Sequence, residues 1–272
     1  MNLLSIVAVA VFALMVLWAA QSIVLVAVGE PLALPLRFTT RKPAVRWTGR
    51  VMTHFAWLII LVGSPLMLGM RPQDALAQAL PLPPPWREIA IGFSVVFFPI
   101  LAAYGLLIAL GWTRFEPQHD RATRRAKLFR RFLGPLPVAF LEEAVFRGIL
   151  LEQLLRALPQ TPSFAVLAVV VSSVAFSLVH FIKRHPDKPF WQPAYGFFIV
   201  GCVLGQCYLL GGRTLWLPIV VHATFIFTIE VAKLYTMRVA PRWLVGYPEW
   251  PQASVAGSAF ILFLAIALLL LI

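Results

Sequence analysis

The sequence predicts an all-α fold, a polytopic membrane bundle of about eight transmembrane helices forming a single integral membrane domain over residues 1–272. Three observations predict it. Apolar residues make up 60% of the chain and charged residues 12%, against ~45–50% and ~25% in soluble domains. Mean hydropathy is +0.85. The apolar residues fall into runs of about 20, the length that crosses a bilayer core as a helix, and basic residues cluster in alternate gaps between the runs.

The first run, 3–28, lacks a basic leading segment and is too long for a signal peptide, so it reads as an anchor. Runs at 51–70 and 89–112 follow. The fourth, 136–158, starts beside Pro135 and Pro137, since proline suits a first helical turn and not an interior. The remaining runs are 162–182, 191–211, 214–236 and 254–272. Cys202 and Cys207 share one run at a spacing that suits neither a metal nor each other, and read as reduced packing residues.

The net charge of +12 does not point to nucleic acid, because no separate basic domain exists. Instead, 18 of the 23 basic residues occupy alternate gaps. Arg37 to Arg50, Arg114 to Arg131, Lys183 to Lys188 and Lys233 to Arg242 mark those gaps. The opposite gaps and helix ends hold Arg71, Arg87, Arg156 and Arg213. The positive-inside rule puts the basic loops in the cytoplasm and both termini outside, as in a bacterial inner membrane protein.

Within the fourth run, "FLEEAVFRGILLEQLL" carries Glu142, Glu143 and Arg147 where lipid is expected. A charge at the centre of a spanning helix costs ~2.5–3.5 kcal/mol on insertion scales. Glu143 and Arg147, four apart with the acid first, can neutralise each other on one face. Glu142 points about 100° away and needs another partner. Apart from His54 at the start of the second run, the histidines within apolar runs are His180 and His222. Intramembrane ionisable residues are functional candidates, and these three come from three different helices. Ser173 and Ser177 add a polar stripe beside His180 that suits a wet cavity. A carboxylate can take a proton from water, while one imidazole holds that water and another stabilises an oxyanion. The same kit hydrolyses a peptide bond without a nucleophilic side chain. Two histidines and a carboxylate are also a hydrolytic zinc set, although no His-Glu-x-x-His is present. A proton relay in a transporter uses similar residues, but no paired broken helices in repeated halves accompany them.

Three motifs carry a resemblance. "EEAVFRG" resembles the Glu-Glu-x-x-x-Arg motif of the CAAX-processing and bacteriocin-processing (CPBP) intramembrane proteases. "FSLVH", ending at His180, is similar to their Phe-x-x-x-His motif, and "LWLPIVVH", ending at His222, to their last motif. The likeness spans roughly residues 90 to 236. It implies an intramembrane endopeptidase of glutamic type, with a metallopeptidase as the alternative. Glu142 and His180 would activate water and His222 would stabilise the oxyanion, with Glu143 and Arg147 holding the geometry. No cofactor is implied, or zinc in the alternative, ligated by Glu142, His180 and His222. The substrate would be a membrane-anchored protein or peptide, prenylated in some members, met within the membrane lipid. One position departs: many members have Asn four residues after the last histidine, and Ile226 stands there. An inactive member of the same fold is the reading that departure favours. If the enzyme is active, Gln206 is the amide expected to act as oxyanion donor. By helix rise, Glu142 and His180 come out ~5–10 Å below the cytoplasmic face with His222 deeper, a mismatch that tilt would have to remove.

Overall fold

A computed structural model describes residues 3–29, 43–181, 191–246 and 251–272. Helix α1 (Leu3–Ala27) packs along α2 (Pro43–Met67). Past Pro65 the chain turns by 103° into the short α3 (Pro72–Ala79), which begins on a proline. Helix α4 (Trp86–Ala109) leads to strand β1 (Thr113–Phe115) and to α5 (Arg121–Leu133). Asp120 caps α5, accepting a hydrogen bond from the Thr123 amide at 2.9 Å, the usual way to satisfy an orphan first-turn donor.

The predicted fourth span is one helical rod of three parts: α6 (Pro135–Glu143), a π-helical segment (Ala144–Leu151) and α7 (Glu152–Ala157). Pro135 occupies its first turn, as the sequence indicates. Helices α8 (Pro162–Phe181), α9 (Trp191–Leu210) and α10 (Trp216–Tyr235) follow. Strand β2 (Thr236–Arg238), α11 (Arg242–Val245) and α12 (Val255–Leu271) complete the chain.

Helices therefore lie on all eight predicted runs, but the count of spans is approximate. Val7–Ala27, Trp86–Ala109, Pro162–His180 and Trp216–Tyr235 are long and apolar enough alone; the bent α2–α3 pair makes a fifth, and the α9 and α12 runs are shorter. The sequence reading missed the bend after α2, because its apolar count does not register a turn made at Met67–Pro72. It also did not foresee the two-stranded ribbon in which Thr113 faces Arg238 and Phe115 faces Thr236. The ribbon joins the gap after α4 to the gap after α10, so these two basic gaps share one end of the bundle. The gaps at 30–42 and 182–190, with Arg37, Lys183 and their neighbours, lie outside the described residues.

Helix α10 is central and packs on α4, α6 and α9. Helices α8 and α9 share the broadest helix contact. A Cβ on Gly201 would come within 2.9 Å of Ser173, and one on Gly205 within 2.8 Å of Val169. Small residues at this four-residue spacing let helices approach closely in membranes. The core runs through Ile60, Val96, Phe146, Phe176, Leu204, Leu217 and Leu268. A second cluster gathers Leu151, Leu155, Ala168 and Tyr208. Leu106, Leu262, Leu269 and Leu270 are exposed on the outside, the surface expected of helices facing lipid. Cys202 and Cys207 are free thiols.

Candidate active site

The π-helical segment begins at the residue after Glu143, and such segments are frequent at functional sites. Six of its eight residues are buried, including Arg147. The rod is buried around most of its circumference here, so its charges must be met by one another and by neighbouring helices.

They are met. The Arg147 guanidinium, with no exposed area, donates to Glu143 Oε1 at 3.1 Å and to the Gly201 carbonyl on α9 at 2.9 Å. It also lies over the Phe176 ring, 4.8 Å from the centroid. Glu143 Oε1 is in turn 2.7 Å from His222 Nδ1 on α10. The expected i, i+4 pair is thus real, but it also reaches α9 and α10 and ties three helices together.

Glu142 faces the other way, as its helical angle requires. Its Oε2 lies 3.8 Å from His180 Nε2 and 3.9 Å from His222 Nε2. The tautomers follow from the partners of the opposite ring nitrogens. His180 Nδ1 is 2.8 Å from the Phe176 carbonyl, which can only accept, so Nδ1 carries a proton there. Nε2 is then turned to Glu142 with its lone pair in the neutral ring. The His222 Nδ1–H likewise goes to Glu143. Fixing one ring nitrogen in this way orients the other. The His180 ring is also stacked on Phe197, with centroids 3.9 Å apart. The depth mismatch estimated from helix rise is absent: all three side chains meet at one point.

Beside His222 lies a cavity of about 110 Å³, lined by Phe176, Phe197, Ile226, Glu230, Lys233 and Gln252 among others. Ile226 does face the same space as His222, as the one-turn spacing suggests. Gln206 does not: its amide donates to the Ala265 carbonyl at 2.8 Å and links α9 to α12. Gln252, buried to 5% exposure, lines the cavity instead. Sequence reasoning missed it, because it stands in a proline-rich loop before α12, where no periodicity assigns it a face. Gly196 is the local signal: a Cβ there would come within 2.8 Å of Gln252 Cγ, so the missing side chain on α9 is what lets this loop pass. Ser173 and Ser177 are buried and do not line this cavity. Ser173 bonds the Val169 carbonyl of its own helix, and Ser177 donates to Ala194 on α9.

A larger chamber of about 470 Å³ lies between α4, α10 and α12 and is walled almost wholly by apolar side chains. It shares Phe225, Ile229 and Gln252 with the smaller cavity.

Residues 125–228 match the family model described as type II CAAX prenyl endopeptidase, Rce1-like. No curated protein and no solved structure matches the chain. The matched stretch runs from α5 into α10 and contains Glu142, His180 and His222 together with the Glu143–Arg147 pair. Three helices that bring a glutamate and two histidines together, within a stretch that also fits this family, agree with the motifs on which the resemblance rests. Over residues 125–228 the chain is thus similar to the Rce1-like type II CAAX prenyl endopeptidases of the CPBP family.

Proposed function

We propose that the protein is an intramembrane endopeptidase that hydrolyses a peptide bond in a membrane-anchored protein, using water activated by Glu142 and His180. The observation that carries this is the convergence of Glu142 Oε2 with the Nε2 atoms of His180 and His222 at 3.8 and 3.9 Å. A water at ordinary hydrogen-bond length, ~2.8 Å, fits between the carboxylate and either imidazole. Glu142 takes one proton from that water as it attacks the carbonyl carbon, and His180 holds it in line. The carbonyl oxygen gains the negative charge of the tetrahedral intermediate. His222 can stabilise it from Nε2 when both ring nitrogens carry protons, with Nδ1–H on Glu143 and the ring charge balanced by that carboxylate. Collapse of the intermediate returns the proton from Glu142 to the leaving amine. Arg147 takes no part in these steps; it holds Glu143 in place.

We read the site as metal-free. Ligands ~2.0–2.2 Å from a tetrahedral zinc stand roughly 3.4 Å from one another, and the donors here are spaced more widely. Among the described residues no three His, Cys, Asp or Glu side chains are grouped to hold a metal. The apolar chamber next to the cavity supports a substrate with a lipid chain or apolar anchor, such as a prenylated cysteine near its carboxyl end. The basic loops at the catalytic end support an active site facing the cytoplasm, with both termini outside.

The test is cleavage of a prenylated peptide by the purified protein in lipid nanodiscs, read by mass spectrometry, with and without a strong metal chelator. The expected result is cleavage that survives chelation and weakens when the lipid chain is removed. Loss of cleavage on chelation with rescue by zinc would overturn the metal-free reading.

A further inference from the structure

Helix α5, Arg121–Leu133, has its sides reversed relative to a helix packed on a soluble core. At about 100° per residue, Thr123, Arg124, Lys127, Leu128 and Arg131 share one side, and all are partly buried. Their polar groups are held by the protein. Arg131 Nε lies 3.4 Å from Glu230 Oε2 on α10, Arg124 bonds the His119 carbonyl, and Lys127 contacts the His119 ring. The opposite side is fully turned out: Phe129, Phe132 and Leu133 are exposed by 66%, 65% and 53%. Arg121 stands on one flank of that stripe, Arg130 on the other, and Arg125 between Phe129 and Phe132 around the helix, all exposed. Among the described residues no carboxylate pairs with any of these three.

A stripe of aromatic and leucine side chains edged by unpaired guanidinium groups is the pattern of a helix lying in a bilayer interface. The rings enter the head-group boundary, and the arginines meet phosphates beside them. The surrounding surface agrees. Phe115, Met237 and Val239 on or beside the β-ribbon, and Trp243 of α11, are exposed at the same end of the bundle. We propose that α5 docks on the anionic lipid head groups of the leaflet nearest the catalytic residues, through Arg121, Arg125 and Arg130. The occupant is lipid and not a protein segment, because the apolar stripe belongs to a chain already embedded by its apolar helices, and its flanking charge is of one sign. The docked helix touches both halves of the site. It joins α6, which carries Glu142, through the single residue Gly134, and Arg131 holds it to α10, which carries His222. The lipid charge of that leaflet is thereby coupled to the two helices that must stay in register.

The test uses the full chain, which remains membrane-inserted through its apolar helices whatever α5 does. A spin label at Ala126→Cys, exposed on the turned-out side, in a background with Cys202 and Cys207 replaced by alanine, reports depth by collision with oxygen against a water-soluble nickel chelate. Nanodiscs of phosphatidylcholine are compared with nanodiscs containing phosphatidylglycerol. Each basic residue near an anionic surface contributes about fivefold to binding, so three arginines together shift the docked population by roughly a hundredfold. The expected result is a deeper label with phosphatidylglycerol, reversed by high salt and abolished in R121Q/R125Q/R130Q. A label equally shielded in both membranes would mean that neutral lipid or a second copy of the chain covers the face, and would overturn the proposal. So would a label open to water in both, or a phosphatidylglycerol effect that survives the triple substitution. The depth signal is independent of peptide cleavage, so its failure leaves the proposed reaction untouched.

Discussion

At Ile226 a branched hydrocarbon faces the cavity of His222, where the motif that this stretch resembles often has an asparagine. A lost oxyanion donor costs ~10²–10³ in rate, so an active enzyme with isoleucine here needs a donor from another element. Gln252 is positioned to supply one, since it lines the same cavity from the loop before α12. Substituting Gln252→Leu is expected to lower kcat by about tenfold or more with little change in melting temperature, and adding Ile226→Asn is expected to recover part of the loss. Full activity in Gln252→Leu would leave His222 as the sole donor. Gln206 is expected to behave differently, because its amide is spent on the Ala265 carbonyl. Its substitution should loosen α9 from α12 and lower stability before it touches chemistry. The contrast shows where sequence legibility ends. His180 and His222 were visible as rare ionisable residues in apolar runs, and each meets Glu142 as their rarity suggested. Gln206 and Gln252 differ only in tertiary placement, and no spacing rule separates them.

Among the elements, the rod from α6 to α7 shows how a backbone irregularity serves the site. Its π-helical segment holds Arg147 so that one guanidinium spans Glu143 on its own helix and the Gly201 carbonyl on α9. Glycine at 201 is required twice, because a Cβ would press on Ser173 at 2.9 Å and push α9 away from Arg147. A lysine has one ammonium and cannot replace a planar fork that reaches two acceptors. Arg147→Lys should therefore destabilise the protein substantially. Removing one partner of a buried pair costs about 3–5 kcal/mol, and the lysine keeps its charge while losing one of the two bonds, so a loss of roughly half that size is expected, read as a lower midpoint in thermal unfolding in detergent. An unchanged midpoint would mean that the Glu143 pair contributes nothing to holding the rod. The sequence announced the Glu143–Arg147 pair by its spacing alone. It could not announce the reach to α9 and α10, which depends on how three helices pack and on the widened turn between them.

For the whole molecule, lipid is the solvent that makes the exposed Leu262, Leu269 and Leu270 acceptable, and hydropathy alone predicted the eight helical runs. What hydropathy could not see were the structures that do not span the bilayer: the bend into α3, the β-ribbon and the surface helix α5. All three lie in polar or proline-rich gaps, where local propensity is weak and long-range pairing decides. In the proposed mechanism Glu142, His180 and His222, delivered by three helices, act as one unit on water. The most direct measurement is the turnover of Glu142→Gln, His180→Ala and the double variant on a cleavable prenylated peptide, with insertion and melting temperature checked for each. A positioned general base contributes ~10²–10⁴ in rate, and groups acting as a unit do not add when removed together. Each single variant should thus lose at least about a hundredfold, and the double variant should be little worse than the poorer single one. Near-normal turnover in Glu142→Gln, in protein that is folded and inserted, would contradict the account.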